Sequence, residues 1–300
     1  MTRKVAKQRG LALIMVLWVL SLMTIMAGSF ALSTQRESAM LRHAHERARA
    51  QALAEGAIYY AMLMLNIPDQ RQRWQSDGRP YTWSAQQTIV QVRVQDEGGK
   101  IDLNAASPTT LMAVFGILGL NDVQSTQLSD AIIDWRDQDE LKSPSGAEAD
   151  DYRASGSKMV PQNRQFLVME ELQSVLGINL ALYRKMQSWF TLYSMNDGLD
   201  PKKVSPEVLA LLLRGDREAL NTMLLQRSQG LPITPPPYPG INYSQSMDST
   251  FSITAQVTVD EDQLFGVTAV VRRGATTGNL PFTIIRWRPY HQPSNSLGDL

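Results

Sequence analysis

Residues 11–32 read LALIMVLWVLSLMTIMAGSFAL, an apolar run of 22 residues that follows directly on Gln8-Arg9-Gly10. No charge occurs between Arg9 and Arg36. At about 1.5 Å per helical residue the run reaches roughly 33 Å, enough to cross a bilayer core of about 30 Å. Arg3, Lys4, Lys7 and Arg9 all precede it, so the positive-inside tendency leaves a short N-terminus in the cytoplasm and exports the rest.

Three readings of this segment compete. A cleaved signal peptide would have a shorter apolar region and a better small-residue exit than Ala27-Gly28-Ser29. A plain signal anchor fits the length but gives no reason for glycine at the charge-to-apolar boundary. In a type IV pilin-like leader the chain is cut after that glycine and the apolar helix is retained, and Arg9-Gly10-Leu11-Ala12-Leu13-Ile14 resembles that pattern. The leader alone leaves the last two readings open.

The helical pattern continues beyond the apolar run. Residues 33–65 lack proline and are rich in good helix formers, with Leu41, Ala44, Ala48, Ala52, Ala57, Tyr60, Ala61 and Met64 as an expected apolar stripe. Pro68 ends it. One helix of about 84 Å is expected from Leu11 to Asn66, with a membrane half over 11–33 and an exported half over 34–67. Alternation then appears at Val90, Val92 and Val94, giving a first strand within 84–99. Three more strands are expected within 246–292: Ser252 to Val259, Leu264 to Val271 after Asp260-Glu261-Asp262, and Phe282 to Arg288. The expected fold is α+β: a long helix packed on a small antiparallel sheet, with a large helical domain inserted over 100–245.

Within the insertion, Ile101-Asp102, Ser107-Pro108 and Leu111 are echoed at the same spacing by Leu199-Asp200, Ser205-Pro206 and Leu209. Each serine can cap a helix that begins with proline. Turns at Gly116–Leu120 and Gly177-Ile178 suggest helix-hairpin-helix-like units, which elsewhere bind DNA phosphates through helix starts. The proline-rich stretch 231–240 reads as a stiff, extended return segment.

Composition narrows the chemistry. With 29 acidic and 29 basic residues, net charge gives no case for a polyanionic partner. Zero cysteines exclude disulfides, thiolate-bound zinc and thiol catalysis. His43 and His45 sit in a charged helical stretch and read as solvated surface. No nucleophile elbow, P-loop or dinucleotide fingerprint occurs, so no enzymatic activity is expected. One stretch stands out: Asp130, Asp134, Asp137, Asp139, Glu140, Glu148, Asp150 and Asp151 are opposed only by Arg136 and Lys142. Calcium takes about six to eight oxygens, and Asp137-x-Asp139 followed by Glu148 is one way to supply some of them. The loop is not an EF-hand, because Leu141 and Lys142 stand where a ligand and the turn glycine belong. A solvated acidic loop is the alternative.

Assembled, the chain resembles the minor pseudopilin K family of type II secretion (GspK). The resemblance rests on Arg9–Ile14, Glu97-Gly98-Gly99-Lys100-Ile101-Asp102-Leu103-Asn104, Asp134-Trp135-Arg136-Asp137-Gln138-Asp139, Gly146-Ala147-Glu148, Tyr152, Asn163 and Glu171-Leu172. It implies a leader of residues 1–10, cleavage between Gly10 and Leu11 by prepilin peptidase, and methylation of Leu11. It implies one or two structural calcium ions in loop 134–151, with Asp137, Asp139, Glu148, Asp150, Asp151 and Asn163 as candidate ligands. It further implies a subunit of the inner membrane, facing the periplasm of a Gram-negative bacterium. That subunit would cap a pseudopilus tip and start its assembly with minor pseudopilins I and J, then H and the major pseudopilin. Such a tip would support export of folded proteins, with the outer-membrane secretin and secreted substrates as further partners. Most pilins carry glutamate at the fifth mature position; here it is Met15. A buried carboxylate without a partner is costly in hydrocarbon, so a subunit with no predecessor to neutralise can dispense with it. A membrane-tethered DNA receptor is the rival from another class.

The leader reading predicts a mature chain that starts at an N-methylated Leu11, as determined by mass spectrometry of the isolated N-terminal peptide. An intact Met1, or a start near Phe30, would exclude it.

Overall fold

The structure, a computed structural model, describes residues 11–85, 88–259, 263–274 and 281–290; Gly10 and the Asp260-Glu261-Asp262 connection lie outside these ranges. A single helix, α1, runs unbroken over Leu11–Leu65. Residues 13–32 pack against nothing else in the described chain. Hydroxyls in that stretch turn back on their own helix, with Ser21 Oγ donating to the Leu17 carbonyl at 2.8 Å and Thr24 Oγ1 to Leu20 at 2.8 Å. This satisfies the polar atoms without a partner from outside the helix.

Burial begins at Ala50 and continues through Ala54, Ala57, Ile58, Ala61 and Leu65. The expected stripe is therefore right only in its second half: Leu41, Ala44 and Ala48 are exposed because the sheet covers the helix only from Ala50 onward, and Ala52 is exposed because it lies off the buried face. Alanines on that face let the helix lie close to the strands. Carbonyls at the end of α1 are met by Arg273 Nη2, 2.8 Å from the Leu65 oxygen, and Arg73 Nε, 2.8 Å from the Ile67 oxygen.

Two strands precede the insertion where the alternation indicated one. β1 (Asp77–Ala85) forms a hairpin with β2 (Thr88–Asp96). Gly78 and Pro80 disguise β1 in the sequence. They are tolerated because β1 is an edge strand with an irregular register between Asp77 and Pro80. Its aromatic residues flank α1: Trp83 stacks on Tyr60 at 5.7 Å, and Tyr81 on Trp74 at 4.2 Å.

The chain leaves the sheet through a 3-10 turn, Glu97–Gly99, and enters the insertion at β3 (Ile101–Asp102). There follow α2 (Pro108–Ile117), α3 (Asp122–Arg136), α4 (Ala149–Ala154), α5 (Leu180–Met186) and β4 (Phe190–Thr191). A second passage has β5 (Gly198–Leu199), α6 (Pro206–Leu212), α7 (Arg217–Ser228) and β6 (Asn242–Tyr243).

The sequence echo is a structural duplication. Ser107 caps Thr110 N–H in α2 and Ser205 caps Val208 N–H in α6. Asp102 accepts from Asn104 N–H at 2.9 Å, and Asp200 from Lys202 N–H at 2.8 Å. Arg136 at the end of α3 donates to the Leu103 and Ala106 carbonyls; Arg227 in α7 donates to the equivalent Pro201 and Val204 carbonyls. Each unit closes by a short parallel pairing, β3 with β4 and β5 with β6. The proline-rich return is extended, and Tyr243 OH donates to the Pro236 carbonyl at 2.6 Å.

β7 (Thr250–Val259), β8 (Gln263–Arg273) and β9 (Phe282–Pro289) complete an antiparallel sheet ordered β1-β2-β7-β8-β9. The fold is thus pilin-like, with the helical insertion between the second and third strands. Val90, Val92, Val94, Ile253, Ala255, Val257 and Ala269 bury one sheet face against α1. Asp96 pairs with Phe251 and Thr250 with Arg272, next to the arginine that reaches the last turn of α1. The insertion is therefore mounted at the end of the sheet farthest from the apolar half of α1. It also reaches the sheet face turned away from α1, where Glu170 meets Arg286 at 2.8 Å and Arg288 at 3.4 Å.

Buried Arg227 supplies the only hydrogen bonds its two carbonyl partners receive from a side chain among the described residues. Arg227→Met should cost about 2–4 kcal/mol, the desolvation of two stranded carbonyls, in chemical denaturation of the detergent-solubilised chain. A cost below about 0.5 kcal/mol, the size of an ordinary surface substitution, would show that the lock is dispensable.

Candidate metal centre

The acidic loop folds back on the helix that precedes it. Asp130 and Asp134 stand one turn apart on α3. Asp134 accepts from Ser143 N–H at 3.1 Å and Asp130 from Ser145 N–H at 3.0 Å. Gly146 lies against the fully buried Asp134 carboxylate, where a Cβ would collide with it. These two aspartates organise the loop by holding backbone. Neither belongs to the candidate ligand set, and their spacing of four on one helix face is the sequence signal of this shared task.

Asp137 caps the C-terminus of α3, and Glu148 starts α4. Asp137 Oδ1, Glu148 Oε1 and Asn163 Oδ1 are buried and accept no hydrogen bond among the described residues. Burial, followed by the charges of Asp139 and Asp134, pushes the Asp137 carboxyl above its ordinary range against the pull of Arg136. Glu148 is pushed up by burial, then by Asp134 and Asp137. Carboxylates crowded in this way favour a cation or a proton.

Asn163 sits in the left-handed region at φ 50°. Its loop is drawn to the end of α3 by Phe166, whose ring stacks on Trp135 at 6.2 Å. Asn104 clamps that loop, donating to the Phe166 carbonyl at 3.0 Å and accepting from its N–H at 2.8 Å. Buried Tyr152 also packs on Trp135, with ring centroids 5.5 Å apart. Glu171 closes the segment by accepting from Leu167 N–H at 2.9 Å and Val168 N–H at 3.1 Å.

The remaining candidates have other partners. Asp139 is exposed and accepts from Leu141 N–H at 2.9 Å. Asp150 is almost fully exposed and pairs with Arg153 at 2.6 Å. Asp151 pairs with Lys142 at 2.8 Å and accepts from Glu148 N–H at 3.0 Å, and the Lys142 contact holds its carboxyl below the ordinary range. Among the described residues no three His, Cys, Asp or Glu side chains already converge on one point. Asp137, Glu148 and Asn163 instead each present an unpartnered buried oxygen. Oxygen donors of this hardness suit calcium rather than a softer metal.

The helix starts that a phosphate would use are partly taken. Asn121 accepts from Gln124 N–H and Asn179 from Leu182 N–H, each at 2.9 Å.

A family model described as type II secretion system, protein K, matches residues 91–195, from within β2 through β4 and across every candidate ligand. Type II secretion system protein K of Klebsiella pneumoniae is 27% identical over 205 residues, covering 60% of this chain and 61% of the relative. That of Pectobacterium carotovorum subsp. carotovorum is 30% identical over 205 residues, covering 60% and 62%, and that of Aeromonas hydrophila 25% over 236 residues, covering 69% and 70%. The match thus spans about three fifths of the Klebsiella protein's length. In fold, the chain is similar to one in the crystal structure of the GspK-GspI-GspJ complex from the enterotoxigenic Escherichia coli type 2 secretion system. The TM-score is 0.59 at 16% identity, covering 84% of this chain and 99% of the other. In sequence over part of its length, and in fold, the chain is similar to type II secretion protein K.

The matched segment 91–195 takes in the first of the two duplicated units together with its acidic loop. The resemblance drawn from Glu97–Asn104 and Asp134–Asp139 thus falls on the residues that build the sheet junction and the loop.

Proposed function

We propose that this chain is a non-catalytic minor pseudopilin that caps the tip of a type II secretion pseudopilus. It would start assembly with pseudopilins I and J, and H and the major pseudopilin would follow below. The observation that carries this reading is the placement of the insertion at the end of the sheet farthest from the apolar half of α1, where a further subunit would otherwise stack. Met15 supports it, since the apolar helix carries no carboxylate for a preceding subunit to neutralise. In this reading α1 crosses the inner membrane once with its N-terminus cytoplasmic, prepilin peptidase cuts before Leu11, and the insertion faces the secretin and exported substrates. The solved relative named above was crystallised with I and J partners.

Calcium belongs to the same proposal. Asp137, Glu148 and Asn163 would hold it, with Asp139 near enough to raise the Asp137 carboxyl. The ion would neutralise the loop and tie the end of α3 to α4 and to the Phe166 loop. Its role is structural, since a domain without disulfides gains stability from any ligand that binds only the folded state.

Two measurements test these readings. Co-expressed with pseudopilins I and J from the same bacterium, the chain should co-purify as a defined complex from detergent; recovery only as a free chain would refute the assembly role. Chelation should lower the melting temperature of the full chain by several degrees. Asp137→Asn with Glu148→Gln should abolish that difference. Equal melting with calcium and with chelator would leave a solvated acidic loop.

A further inference from the structure

The joint between sheet and insertion contains a second group of acids, apart from the acidic loop 134–151. Asp96, the last residue of β2, is 1% exposed. Its Oδ1 accepts from Gly98 N–H at 2.8 Å and from Ser246 Oγ at 2.7 Å. Its Oδ2 is buried and has no hydrogen-bond donor among the described residues. Lys203 Nζ stands 3.6 Å away but is committed elsewhere, to Asp248 Oδ1 and to Ser76 Oγ at 3.1 Å. Asp248 lies within hydrogen-bonding reach of Asp96 and sits at φ 48°, in the left-handed region.

The elements packed around Asp96 present few other charges. Arg273 of β8 acts on Asp248 and Asp96 from a distance, with Arg73 beyond it. Asp200 is occupied with Ser246 N–H at 2.8 Å. Glu97 is turned toward Thr191, Ser252 and Lys100. One lysine therefore serves two carboxylates, and one carboxylate oxygen lacks a donor. A proton on Asp96 Oδ2, donated to Asp248, corrects both defects.

We propose that Asp96, Asp248 and Lys203 form a proton-operated latch that holds the insertion more tightly to the sheet in acid than above neutral pH. Burial, then the neighbouring Asp248, raises the Asp96 carboxyl from 3.8 to about 7, against the pull of Lys203, Ser246 and Gly98 N–H. For Asp248 burial works upward, but bonds from Asp96 and Lys203 and the charges of Lys203 and Arg273 hold it below its ordinary value. A raised folded-state value means that the closed joint binds a proton the open joint releases. The contribution of Asp96 is complete below 3.8 and is lost as pH rises to about 7. The opposite contribution of Asp248 falls below its ordinary range and outside this window. Residues on both sides of the joint meet here: Asp96 from the sheet, Lys203 from the insertion and Asp248 from the segment that returns to β7.

The test is amide hydrogen exchange on the full chain in detergent micelles between pH 5 and 8, corrected for intrinsic rates. The amides read are Gly98, Asp200 and Ser246, with Ala255 inside the sheet as control. Their protection should fall by up to about tenfold per pH unit between pH 5 and 7 and then level off. In Asp96→Asn, whose amide can donate to Asp248 at every pH, protection should be independent of pH. A flat wild-type profile, or the same slope in the variant, overturns the latch. Should Asp96→Asn not fold, NMR of wild-type chain carrying ¹³C-labelled aspartate decides: one carboxyl titrating near 7 supports the latch, and all titrating below 5 removes it.

Discussion

Two consecutive carboxylates, Asp96 and Glu97, are buried where the sheet gives way to the insertion, and the rest of the architecture is arranged around satisfying them. A buried carboxylate left alone costs several kcal/mol. Glu97 is met from both sides of the joint, by Ser252 of β7 and by Thr191 of β4 in the insertion, with Lys100 at 3.4 Å. Asp96 is met by its own turn and by Ser246. Because these donors come from both bodies, the insertion can take only the orientation that brings them together. The glycines that follow have the same cause. Side chains at Gly98 and Gly99 would collide with Ser246 and with the Lys203 carbonyl, so the close approach requires Glu-Gly-Gly.

Beyond the joint, one local solution is used twice. An aspartate folds the entry turn, a serine caps a proline-started helix, and an arginine from a following helix clamps the turn's carbonyls. The first copy carries the acidic loop and the second the proline-rich return. Their buried side chains form one continuous core, including Trp135, Trp189, Phe115 and Phe190. A separate core unites α1 with the sheet. The polar joint thus links two bodies that are each apolar inside, so that its geometry governs how they are held.

Patterns that depend on near neighbours were readable in the chain. The apolar run, the continuity of α1, the alternation of β2 and the paired Ser-Pro helix starts all follow from local periodicity and capping. β1 was hidden by Gly78 and Pro80, which read as a turn and are acceptable only on an edge strand. The first half of the α1 stripe was misplaced because helical spacing indicates which residues share a face but not where the sheet begins to cover it. Residue types and spacing flagged Asp137 and Glu148, and the family resemblance added Asn163, but neither could separate them from Asp139, Asp150 and Asp151. That difference lies in burial and in the nearby Leu141 N–H, Arg153 and Lys142. The arginine locks and the Asp96–Asp248 contact span too many residues to leave a local trace.

In the proposed role, a bulky body at the end of the sheet farthest from the apolar half of α1 would permit subunits below it and obstruct any above. Site-specific labelling of the insertion with an electron-dense tag, followed by imaging of isolated pseudopili, reads this most directly. One tag at one end of each filament is the predicted result. Tags repeated along the filament length would contradict it.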